Sequence, residues 1–200
     1  ATTMKTACLA LAIACLLSAP FAACAGGGDE PFVFKTVDGK STDAIRGSFQ
    51  VPEHRADPNS RMLTIRYVRF PSTSPRPGSP IVYLSGGPGG SGIETAKRNR
   101  FPLFMAMRQF GDVIALDQRG TGASDDTPAC EPKTAPSDAK AMTDEAYAAA
   151  YRAAALECAA FWKAKGIDLR GYNTVESARD LDALRVHLGA EKLSLWGISY

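Results

Sequence analysis

From Arg46 to Pro52, and again along RMLTIRYVRF from Arg61 to Phe70, β-branched and aromatic residues interleave with polar ones. That alternation is the signature of a half-buried strand. The intervening EHRADPNS is rich in turn formers, so the two stretches are predicted to pair antiparallel. PSTSPRPGSP follows, with prolines at 71, 75, 77 and 80, and fits neither a helix nor a central strand. The pattern then changes. Ile81 to Leu84 and the DVIALD run from 112 to 117 are almost continuously apolar, as strands covered on both faces must be. Between them a glycine loop leads into a helix-capable segment ending near Phe110.

Spacings of three and four take over from Thr143 to Lys165, where Tyr147, Tyr151, Ala154, Cys158 and Phe161 share one stripe. Asp144 and Glu145 in the first turn, lysines 163 and 165 in the last and Gly166 as a stop complete a predicted helix. Its stripe is expected to pack inward. Asn173 with Glu176 three places on predicts a second capped helix, its buried face formed by Val175, Ala178, Leu181, Leu184 and Leu188 before Gly189. His187 is then left at the surface. KLSLWG is the next predicted strand, and it delivers Ser199. Strands alternating with helices imply an α/β fold, a mostly parallel sheet flanked by helices with an antiparallel hairpin on its N-terminal side. Loops at the carboxyl ends of such strands bear function.

Composition adds bounds. Two hundred residues, 45% hydrophobic and 22% charged, suit one domain or part of one. The net charge of +2 arises from 23 basic and 21 acidic side chains without a block of either sign, so no nucleic-acid partner is expected. The first 25 residues differ in kind. Met4 and Lys5 precede an apolar run from Ala7 to Leu17, and small residues continue through Ala25, as in a secretory signal. The run falls short of the roughly 20 residues a membrane-spanning helix needs. Ala23-Cys24-Ala25 fits a small-x-small cleavage site, whereas FAAC resembles a lipobox and favours lipidation at Cys24, with membrane anchoring. Residues 26–44 then form a tether and the start of the fold, with order from about Pro31, and 45–200 the folded part.

Export places the chain where disulfides persist. With Cys8 and Cys15 in the signal and Cys24 processed, Cys130 and Cys158 remain as a candidate disulfide pair, or as two buried thiols. Neither C-x-x-C nor H-E-x-x-H occurs and the histidines are two, His54 and His187, so no metal or cofactor is expected.

The chemistry gathers at glycines and one serine. Where a strand turns sharply into a helix, the turn residue is strained and its neighbours two places away must be small, which Gly197 satisfies for Ser199. Gly86-Gly87-Pro88-Gly89 follows the strand expected beside that turn, and glycines let backbone N–H groups approach a developing oxyanion. LSGGPGGSG, DQRGTGASD, TVESARDLDALRVHLGA and LSLWGISY together resemble the α/β-hydrolase fold, in the branch of prolyl and tripeptidyl aminopeptidases. The resemblance covers roughly residues 45 to 200. It implies Ser199 as nucleophile, Gly87 and Tyr200 as oxyanion donors, and Gly86, Pro88, Gly89, Asp117 and Arg119 as the supporting loops. It also implies a peptide substrate engaged at its N-terminal residues.

This fold orders its triad as serine, acid, histidine, yet His54 and His187 both precede Ser199. The expectation is therefore an N-terminal fragment, inactive alone, whose acid and base lie in an absent C-terminal half of roughly 200 to 300 residues. Ser85 stands where many members carry His or Asn. An esterase of the same fold and a noncatalytic binding module remain as alternatives. So does a dinucleotide site, because Gly87-x-Gly89-x-x-Gly92 follows a strand and Asp117 ends the next.

Overall fold

The computed structural model describes residues 28–124, 126–136 and 142–199. Six strands form one sheet: β1 Glu30–Lys35, β2 Ser41–Pro52, β3 Met62–Phe70, β4 Ile81–Ser85, β5 Val113–Asp117 and β6 Ser194–Ile198, in the order β1-β2-β3-β5-β4-β6. The predicted hairpin is present as β2 and β3, with Phe49 opposite Ile65. Strand β5 runs antiparallel to β3 and parallel to β4, and β4 is parallel to β6. Three of the five pairings are antiparallel and two parallel, so the sheet is mixed and not mostly parallel as expected, because the N-terminal meander extends through β3 onto β5. Strand β1 goes beyond the strands predicted from the sequence, although Phe32 and Phe34 alternate with Val33 and Lys35.

The apolar runs are explained by two cores. Val113 and Ala115 of β5, Tyr83 of β4 and Phe70 of β3 face one side, where α2 (Phe101–Met107) contributes Phe101 and Phe104. Ile114 and Leu116, with Val82, Ile65 and Leu63, face the other side, where α4 (Thr174–His187) contributes Leu184. A strand between two such cores has no face left for polar residues, and all five residues of β5 are buried. Each large apolar side chain so enclosed contributes about 1.5 to 3 kcal/mol.

Two expectations about helices need correction. In α3 (Asp144–Ala164), capped by Thr143, only Ala154 and Cys158 of the predicted stripe are buried. Tyr147 and Tyr151 are exposed and lie against each other at 5.0 Å, because the helix packs on the 3₁₀ turn Leu169–Gly171 and not along the sheet. Cys158 is bonded to Cys130, closing a separation of 28 residues, which in the chain-entropy account is worth about 3 to 4 kcal/mol. In α4, Asn173 caps Glu176 N–H at 3.0 Å, in keeping with its position. Val175 and Ala178 are nevertheless exposed, Ala178 on the wall of a surface cavity, and Glu176 and Asp180 are buried in their place.

Those carboxylates are inward because arginines meet them there. Arg119, with its side chain 2% exposed, grips Asp180 with Nε to Oδ2 and Nη2 to Oδ1, both at 2.7 Å. Its Nη1 donates to the carbonyls of Glu53 and Gly171, both at 2.6 Å. Arg55 donates to Glu176 Oε2 at 2.6 Å and to Asp180 Oδ1 at 2.7 Å. Buried Glu53 extends the cluster by accepting from Arg61 Nε and Tyr172 Oη, each at 2.9 Å. The loop after β5, the end of β2 and the start of α4 are joined at one point.

Removing one partner of such a buried pair strands the other charge. Asp180→Ala is expected to lose about 3 to 5 kcal/mol in urea denaturation, while Arg179→Ala, whose cation is half exposed beside Glu176, changes stability by less than about 1 kcal/mol. Equal losses would show that the cluster is solvated.

Acid should weaken the fold here. Arg170, with help from His54, holds the Asp168 carboxyl far below its ordinary 3.8. At Glu176 burial pushes upward, but Arg55, Arg179 and Arg119 outweigh it and hold the group below 4.5. Folded values below unfolded ones mean stability that is complete above about pH 5 and declines as pH falls through 4.5 and 3.8. Urea midpoints between pH 6 and pH 3 should fall, and by less in Asp168→Asn.

Candidate active site

Ser199 follows β6 directly, and its φ is 63°. Among the described residues it is the one non-glycine with positive φ, a conformation that costs an ordinary side chain on the order of 1 kcal/mol or more. Ser199 thus ends a strand in a backbone conformation unusual for a residue other than glycine. A Cβ at Gly197 would meet no described atom within 4 Å.

Parallel pairing sets what lies beside Ser199. Leu84 is opposite Gly197 and Ser85 opposite Ile198, so one further step puts Gly86 level with Ser199. Gly87 at φ 134° and Gly89 at φ 93° require glycine, the Gly87–Pro88 peptide is cis, and Gly90 N–H donates to Gly86 O at 3.0 Å. Buried Ser85 approaches Thr95 Oγ1 of α1 (Gly92–Ala96) at 3.5 Å, the contact it offers in place of a longer polar side chain.

Asp117, 1% exposed, organises this loop and the next. Its Oδ1 accepts from Ser91 Oγ at 2.7 Å and Ile93 N–H at 3.0 Å, and its Oδ2 from Ala123 N–H at 2.7 Å. Ser91 Oγ also accepts from Glu94 N–H, capping α1. These bonds take Asp117 away from the ribose-binding role that a dinucleotide site needs. The helix after the glycines spans five residues, too short for the phosphate-binding helix of such a fold.

A cavity of about 210 Å³ holds Ser199, lined further by Leu84, Ser85, Gln118, Ser177 and Gly197. A second, of about 250 Å³, shares Gln118 and Ser177 with it and is bounded by Pro88, Gly89, Arg119 and Tyr172. Gly86 and Gly87 line neither. Gln118, which joins the two cavities, donates from Nε2 to Ser85 O at 3.3 Å. The sequence motif DQRGTGASD contains Gln118 without marking it for a role; its place just past the carboxyl end of a buried strand was the available signal. Tyr200 and Cys24 lie outside the described residues.

Neither histidine reaches these cavities. His54 Nδ1 is 2.9 Å from Asp168 Oδ2, and His187 Nε2 is 3.1 Å from Tyr67 Oη with its ring on Phe49 at 5.6 Å. His187 is thus at the surface, as expected, but stacked on the sheet.

Among the described residues, a mixed six-stranded sheet flanked by helices makes this an α/β protein, with Ser199 at positive φ at the end of a strand paired with the one that leads into the glycine loop. No family model matches the chain. Curated proteins do. The chain is 32% identical over 163 residues to the tripeptidyl aminopeptidase of Streptomyces lividans and 30% identical over 163 residues to serine protease Hip1 of Mycobacterium tuberculosis. The tripeptidyl aminopeptidase of Streptomyces coelicolor is 31% identical. These alignments cover 77 to 78% of this chain but only 30 to 31% of each relative's length. By name these relatives are two aminopeptidases and a serine protease.

Because Ser199 is exposed, its backbone conformation can be tested without disturbing a core. Ser199→Gly should be as stable as the parent within about 0.5 kcal/mol, whereas Ser199→Val should lose about 1 to 2 kcal/mol relative to it. Indistinguishable urea midpoints for the two variants would show that the positive φ is not held in solution.

Proposed function

We propose that this chain is the nucleophile-bearing portion of an exported serine peptidase of α/β-hydrolase type, an aminopeptidase releasing short N-terminal peptides. The observation that carries the reading is Ser199 at φ 63° on a strand paired with the one that feeds the glycine loop. The names of the relatives, serine protease and tripeptidyl aminopeptidase, support the reaction class and the peptide substrate.

In this reading Ser199 Oγ attacks the scissile carbonyl carbon and passes its proton to a general base. The carbonyl oxygen becomes an oxyanion and takes hydrogen bonds from the N–H groups of Gly87 and Tyr200. Collapse expels the amine with that proton and leaves an acyl-enzyme at Ser199, which water then hydrolyses. With His54 held by Asp168 and His187 by Tyr67, the base and its acid come from sequence C-terminal to Ser199. Asp117 and Arg119 hold the loops and take no part in bond making. Export is supported by the apolar run from Ala7 to Leu17 behind Lys5, and a lipid on Cys24 would tether the enzyme to a membrane.

The test is Ser199→Ala in the complete protein. Hydrolysis of tripeptidyl anilides should fall by roughly 10⁴-fold or more, and a fluorophosphonate probe should label the parent and not the variant. Retained peptidase activity in the variant would overturn the assignment.

A further inference from the structure

A third cavity, of about 240 Å³, lies beyond the two around Ser199. It is lined by Gly120, Thr127, Trp162, Ile167, Leu169 and Tyr172. Gly120 and Tyr172 also line the polar middle cavity, which in turn shares Gln118 and Ser177 with the cavity of Ser199. The three form one row. Its two ends are lined by different groups: the hydroxyls of Ser85 and Ser199 beside Leu84 and Leu181 at one, an indole, two branched aliphatics and a phenol ring at the other.

The far end is built by segments of the chain that have no place in the sheet. Trp162 is on α3, where its Nε1 donates to Pro128 O at 2.9 Å and the Cys130–Cys158 bond ties the same segment to the helix. Ile167 and Leu169 follow that helix, Ile167 buried and Leu169 42% exposed at the rim. Tyr172 is fixed through its hydroxyl by Arg61 and Glu53, each at 2.9 Å. Gly120, at φ 66°, forms the saddle, since a Cβ there would stand 3.1 Å from the Tyr172 ring.

We propose that this cavity is a side-chain subsite of the peptidase, taking an aromatic or branched aliphatic residue of the peptide chain. This rests on the peptidase reading of Ser199. A cavity the size of the middle one is roughly 8 Å across, or about two residues of extended chain at 3.3 to 3.6 Å each. The selected side chain therefore sits two or three residues from the bond that is cut. The middle cavity suits the intervening backbone, because the Gln118 carboxamide and the Ser177 hydroxyl line it as neutral hydrogen-bonding groups while the charge of Arg119 is already matched by Asp180.

The experiment is a peptide series in which a single Phe is scanned through an alanine background, cut by the complete protein and followed by mass spectrometry. The parent should prefer Phe at one position two or three residues from the cleaved bond. Leu169→Gln, at the exposed rim, should lower kcat/KM for that peptide roughly five- to tenfold, through KM, while the all-alanine peptide changes less than about twofold. Trp162→Phe should shift the preference from Phe toward Leu. Calorimetric binding of the Phe peptide to Ser199→Ala and to Ser199→Ala with Leu169→Gln reads the subsite without turnover. If Ser199→Ala abolishes cleavage but Leu169→Gln leaves the preference intact, or weakens all peptides equally, the subsite is overturned and the peptidase reading stands. If Ser199→Ala still cleaves, the peptidase reading itself fails.

Discussion

The grip of Arg119 on Asp180 is the contact on which the arrangement of the candidate site depends. Arg119 is two residues past the end of β5 and Asp180 is in the second turn of α4, so their bidentate pair fixes a helix to the end of the sheet that carries Ser199. Guanidinium geometry explains the choice of residue. One planar fork satisfies a carboxylate on one side and two backbone carbonyls, of Glu53 and Gly171, on the other, which a lysine ammonium could not do at the same angles. A buried ion pair of this kind adds little net stability, because desolvation offsets the attraction. Its value here is placement: the carbonyls that it gathers belong to segments far apart in sequence.

Asp117, at the very end of β5, plays the complementary role. Arg119 fastens elements to each other, whereas Asp117 fastens loops to their own strand, drawing the glycine loop through Ser91 and Ile93 and the following turn through Ala123. Gly122 is confined by the same carboxylate, since any Cβ there would collide with Asp117 Oδ2. Two charged residues separated by Gln118 therefore hold opposite walls of one row of cavities. Gln118 itself, between them, reaches back to the carbonyl of Ser85.

How legible this was in the sequence follows from the range of the interactions involved. Strands β2 to β6 could be read because burial on one or two faces writes itself into alternation or into continuous apolar runs. Caps could be read because Thr143 and Asn173 act on residues three places away. Ser199 and the glycine loop could be read because their backbone demands are local. The inward carboxylates of α4 could not: a helix pattern gives apolar residues to the core, and nothing near Glu176 or Asp180 announces arginines 121 to 125 and 61 residues distant. The same tertiary override left Val175 and Ala178 outside. In α3 the stripe was real as a period but had no sheet to meet, so Tyr147 and Tyr151 stayed exposed.

Strand β6 shows how a strained serine is held at the end of a sheet order. Among the described residues it pairs with β4 alone, and its outward residues are largely uncovered by them, with Leu195 59% exposed. Hydrogen bonds to one neighbour would leave its register weakly defined. Trp196 supplies what is missing, its ring 4.7 Å from Tyr83 and 5.1 Å from Phe104, so that the strand is pinned through the α2 side of the core. A slip of one residue would turn that indole to the opposite face and carry Ser199 out of step with Gly86. The aromatic cluster on the α2 side of the sheet thus fixes the position of the strand that ends in Ser199.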